Sequence, residues 1–147
     1  MHLVGPSPTD VPISWDNDST GGAFDTADLF AADGSAAERR RLTAPIAGIY
    51  QVTLNLELQE ECHNGSDAAA ARAVVSATIR GPEADPVAEQ EVPCGSTSDA
   101  ELSVSTALSL AAGESVSART DITGGNEGTG LEDEANSAFS MVWIGPA

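Results

Sequence analysis

Ten residues, Ile49-Tyr50-Gln51-Val52-Thr53-Leu54-Asn55-Leu56-Glu57-Leu58, constrain this chain more than any other stretch. Tyr50, Val52, Leu54, Leu56 and Leu58 alternate with Gln51, Thr53, Asn55 and Glu57. A period of two puts all the apolar side chains on one face of an extended strand and all the polar ones on the other. The chain therefore needs a partner layer to cover that apolar face.

The rest of the sequence supplies strands of the same kind. Val11 to Trp15, Arg41 to Ala44, Ala73 to Arg80, Val87 to Val92, Leu102 to Leu110, Ser115 to Ile122 and Ala138 to Ile144 all read as extended. Pro45, Gly81-Pro82, Pro93 and Gly113 end or separate them. Gly113 reads as the positive-φ residue of a hairpin between two of these strands. Only residues 66–73 have helical composition, and the segment is too short to hold a helix alone. Loop acids are dense over 123–136. Many short strands with Gly/Pro turns predict an all-β, antiparallel sandwich or barrel. At 147 residues this is one domain, expected over 11–147 behind an N-terminal arm of residues 1–10.

Charge narrows the function classes. The chain has 23 acidic residues against six arginines and no lysine, a net −17. Nucleic acids and anionic membranes both demand clustered positive charge, so neither is an expected partner. No apolar run is long enough to span a bilayer as a helix. Residues Met1 to Pro6 show no basic and apolar leader pattern, so no signal peptide is expected. Self-repulsion of this size fades in concentrated salt, where the Debye length is about 3 Å at 1 M. A halophilic setting and a GC-rich genome that replaces Lys by Arg account for the composition equally well.

Three motifs in order carry a family resemblance. Leu42-Thr43-Ala44-Pro45-Ile46-Ala47-Gly48-Ile49-Tyr50 resembles a P-x-x-G-x-Y strand start. Leu108-Ser109-Leu110-Ala111-Ala112-Gly113-Glu114-Ser115-Val116 resembles L-x-L-x-x-G-D-x-V. Ser137-Ala138-Phe139-Ser140-Met141-Val142 is similar to S-x-F-S-G-F, with Met141-Val142 in place of Gly-Phe. Together they are similar to the tumour necrosis factor and complement globular-head superfamily, over about residues 11–145. The cluster Trp15, Phe24-Asp25-Thr26 and Asp28-Leu29-Phe30 is similar to the lead-in of its viral members. The resemblance implies a jelly-roll β-sandwich and a homotrimer, with Tyr50, Val52, Phe139, Met141 and Trp143 on the strands that line the axis. It also implies a bridge between Cys62 and Cys94, since the family spans similar loops with a disulfide. In an up-and-down succession the two cysteines follow strands two apart, at the same end of the sandwich. Two free thiols are the alternative.

Other chemistry-bearing residues point less far. Glu60, Glu61, Asp67, Asp99, Glu127, Glu132, Asp133 and Glu134 lie in or beside loops and offer the hard oxygen ligands Ca²⁺ takes, without an EF-hand spacing. Solvated surface is the expected state of these acids, so no cofactor and no metal site is assigned. His63 lacks the partners a zinc site needs. Asn17-Asp18-Ser19 and Asn64-Gly65-Ser66 are glycosylation triplets. Two histidines, no lysine and no G-x-S-x-G turn leave no nucleophile and base set, so no enzyme is expected.

The resemblance and the composition together lead to one expectation. The chain is a virion structural protein of a tailed virus, assembled in the host cytoplasm and displayed on the virion surface. It would act as a trimeric capsid decoration, head-fibre or turret protein. Its partners are itself and the major capsid protein, reached through Leu3, Val4 and Pro6 of the arm. The alternatives are a receptor-binding tip of a tail fibre or spike, and a secreted interaction module of the same fold.

Overall fold

The computed structural model describes residues 11–12, 41–60, 74–93, 100–123, 131–133 and 137–147. Every regular element among them is a strand: β1 (Val11–Pro12), β2 (Arg41–Thr43), β3 (Gly48–Glu60), β4 (Val74–Arg80), β5 (Pro86–Pro93), β6 (Ala100–Leu110), β7 (Ser115–Thr123), β8 (Leu131–Asp133) and β9 (Ala138–Gly145). All pairings are antiparallel and form two sheets. One sheet runs β1-β7-β4-β5, with β2 beside β1 on the same edge of β7. The other runs β6-β3-β8, with β9 continuing the β8 edge along β3. The two sheets face each other as a β-sandwich.

The alternation of β3 drives this arrangement. Tyr50, Val52, Leu54 and Leu56 are buried, as are Val75, Ala77 and Ile79 of β4 and Val116 and Ala118 of β7 in the opposing sheet. Each large side chain so buried contributes roughly 1.5–3 kcal/mol. Two hydroxyls inside are bonded: Thr120 donates to the Ser76 carbonyl at 2.9 Å, and Tyr50 donates to the Ile46 carbonyl at 2.7 Å. At one edge the sheets are joined directly, where the Ser103 amide of β6 donates to Gln90 Oε1 of β5 at 2.6 Å.

Three features differ from the sequence reading. Among the described residues, only β4 and β5 form a hairpin between chain neighbours. The segments around Gly113, read as a hairpin, belong to different sheets, and the chain crosses between them there. Gly113 does take the positive φ expected of it, +88°, and its amide donates to the Ala44 carbonyl at 2.8 Å. A short acidic run within 123–136, read as loop, contains β8, which pairs Leu131 with Glu60 and Asp133 with Leu58. Nothing local marks Leu131–Asp133 as a strand. The far end of the unusually long β3 defines it, and Ser137 fills the gap before β9 by accepting from the Glu57 amide at 3.0 Å. Of the expected N-terminal strand, Val11–Pro12 is described and pairs with β7. Residues 66–73, whose composition reads as helical, lie outside the described residues.

Candidate self-association face

The exposed side of the β6-β3-β9 sheet has an unusual composition for so acidic a chain. In register, Ser109 faces Ile49, Ala107 faces Gln51, Ser105 faces Thr53 and Ser103 faces Asn55 across the β6–β3 ladder. On the other flank, Gln51 faces Val142, Thr53 faces Ser140 and Asn55 faces Ala138. These outward positions of three strands carry no charged residue, and the exposed Ile144 follows at the register shift. Acids begin only past the last row, where Glu57 pairs with Glu101.

The polar members of the face are bonded to one another. Gln51 Nε2 donates to Ser105 Oγ at 2.6 Å, Thr53 Oγ1 and Ser105 Oγ are 3.2 Å apart, and Ser103 Oγ donates to Asn55 Oδ1 at 2.7 Å. Lateral bonding matters because a polar group costs little to dehydrate when its partner stays with it. One end of the face is apolar. Val142 and Ile144 are 58% and 57% exposed, next to the exposed Trp143 and, before β3, the exposed Ile46. β9 has β3 as its one strand partner among the described residues.

The residues that the resemblance places at a trimer contact have little free surface in the single chain. Tyr50, Val52 and Met141 are 1%, 0% and 4% exposed and are consumed by the chain's own core, with Phe139 packed partly against it. They leave almost no surface for a second copy. The physical reason is parity: neighbours in a strand point to opposite sides, so Gln51, Thr53 and Val142 occupy the face that Tyr50, Val52 and Met141 do not. Trp143 shares the parity of Met141 and pairs in register with the buried Tyr50, yet is 45% exposed.

Gly48 holds this corner together. A Cβ at position 48 would collide with the Trp143 indole and lie 2.7 Å from the Gly145 carbonyl oxygen. The ladder also shifts register between Ile49 and Tyr50, beside the close approach. Gly48→Ala should therefore displace the end of β9 and lower unfolding stability by about 1–3 kcal/mol. Chemical denaturation reads the loss, and a shift in tryptophan emission that disappears in a Trp143→Phe background locates it.

The remaining candidates separate cleanly. Leu3, Val4 and Pro6, Cys62 and Cys94, His63, and Glu61, Asp67, Asp99, Glu127 and Glu134 all lie outside the described residues. Glu60 belongs to β3, and Glu132 and Asp133 to β8. Among the described residues, no three His, Cys, Asp or Glu side chains gather as a metal site. Sequence reasoning passed over the charge-free face because its Ser, Thr and Ala residues look like the polar half of any strand. Their shared avoidance of charge over three strands becomes visible only in register. No family model matches the chain, and no curated protein is significantly similar to it.

Proposed function

We propose that this chain is a non-catalytic assembly protein, a jelly-roll sandwich that forms a homotrimer through the exposed side of β6, β3 and β9. The observation that carries the reading is the charge-free face itself. Three copies together hold −51, three times the −17 of one chain, so close association must use surface on which the acids are missing. The exposed Val142 and Ile144 supply apolar area, and the bonded Ser, Thr, Asn and Gln side chains can be covered at low cost. Strand orders β2-β7-β4-β5 and β6-β3-β9, with the chain crossing between sheets, support the jelly-roll reading. The number three comes from the family resemblance; the face alone argues only for self-association.

In this reading the assembled trimer is a virion-surface component, a capsid decoration, head-fibre or turret protein. It works mechanically, by clamping coat subunits together. Sedimentation equilibrium in 1 M NaCl should give three times the 14.9 kDa chain mass, with weaker association at low salt. A monomer or a dimer in molar salt overturns the trimer. For the virion role, quantitative mass spectrometry of purified particles should find hundreds of copies per capsid; a handful would point to a fibre tip, and none would end the reading.

A further inference from the structure

The charge-free rows of β3 and β6 end at a sharp boundary. From the Ile49–Ser109 pair to the Asn55–Ser103 pair the outward positions carry no charge, and the next outward pair is Glu57 with Glu101. Like charges directly opposite each other on one face of a sheet repel. The Glu57 backbone is fixed on its other flank by Ser137, whose Oγ accepts from the Glu57 amide at 3.0 Å and donates to the Glu57 carbonyl at 3.3 Å. Glu101 is exposed. No cation stands on the described part of this sheet. Among the described residues the arginines are Arg41, Arg80 and Arg119, on β2, β4 and β7 of the opposite sheet.

Distance decides which acids bear on a contact made by this face. Two residues along a strand span about 7 Å, so the glutamate row lies about that far from the Asn55–Ser103 row. This is inside the Debye length at 0.1 M salt, about 10 Å, and well outside that at 1 M, about 3 Å. Acids on the far side of the molecule are set apart by a further sheet-to-sheet spacing of about 10 Å. Glu91 of β5 and Glu83 in the turn before it are exposed acids of that kind.

We propose that the Glu57–Glu101 row is an electrostatic brake through which ionic strength controls assembly on this face, the occupant being a second copy of this chain. The proposal rests on the self-association reading above and assigns its regulation to two residues. In dilute salt the rows of neighbouring copies repel across the end of the face and keep the copies apart. In concentrated salt that repulsion is screened and the face closes. A packing that set the row against the apolar Val142 and Ile144 of a neighbour would strip water from the carboxylates, so the pair opposes assembly in that arrangement too. Two of the 23 acids thus carry most of the salt dependence, which a simple net-charge effect would spread over all of them.

Sedimentation equilibrium of the full chain at 0.1 M and 1 M NaCl tests this. At 1 M, Glu57→Gln/Glu101→Gln and the wild type should associate within threefold of each other. At 0.1 M, the double variant should associate at least tenfold more tightly than the wild type. Glu83→Gln/Glu91→Gln removes the same two charges from the other sheet, and it should follow the wild type at both salts. Matching behaviour of the two double variants would assign the salt dependence to net charge and overturn the brake, with self-association left standing. Equal wild-type association at 0.1 M and 1 M would overturn it as well. A wild-type monomer in 1 M NaCl would end the self-association reading, and the brake with it.

Discussion

In the proposed assembly, Val142→Asp should separate the copies into monomers without unfolding them. Val142 is 58% exposed in the single chain, so its replacement removes nothing from the core and the far-ultraviolet circular dichroism should not change. In the assembly the same substitution puts one carboxylate per copy into a face that carries none. Like charges brought together in a water-poor contact repel, and each must also shed its hydration. A loss of at least a hundredfold in association is expected, equivalent to about 2.7 kcal/mol. Sedimentation velocity across a concentration series in 1 M NaCl measures it. Val142→Thr, similar in shape and uncharged, should retain most of the association. Unchanged assembly of Val142→Asp would remove β9 from the contact.

Leu54→Ala should do the reverse and strike the fold itself. Leu54 is wholly buried in β3, at the centre of the strand that both flanks of its sheet pair with. Removing its branched end forfeits transfer energy and leaves a cavity between two sheets that strand pairing keeps from collapsing. The expected cost is about 2–5 kcal/mol, a large part of the roughly 5–15 kcal/mol that holds a typical domain folded. Urea unfolding at fixed protein concentration and salt reads it, since association adds to apparent stability. A loss below 1 kcal/mol would mean that the sheets close over the gap. The adjacent Thr53→Ala, on the opposite face, should barely alter the fold, and the contrast between neighbours tests the parity on which the candidate face depends.

Between them, these two variants separate the roles of one strand. Position 54 serves the interior of a single copy, and the residues paired with position 51 serve its exterior. Burial of Tyr50, Val52 and Met141 in the single chain turns the proposed contact to the other side of the strands that the resemblance pointed to. Aromatic and aliphatic residues on β3 and β9 are conspicuous in the sequence, and conspicuous apolar residues in a strand are claimed first by the chain's own core.

The sequence by itself determined the secondary structure of β3, β4, β5, β6, β7 and β9, because alternation and Gly/Pro punctuation are local signals that each strand carries alone. It also determined the positive φ at Gly113, which depends on the lack of a side chain. Tertiary structure alone decided which sheet each strand joined, the existence of β8, and the charge-free face over β6, β3 and β9. These are properties of register between segments far apart in the chain. Ser103 meets Asn55, and Thr78 meets Arg119, only after the sheets have formed. Local periodicity fixes which residues point the same way along one strand; it says nothing of what will lie beside them.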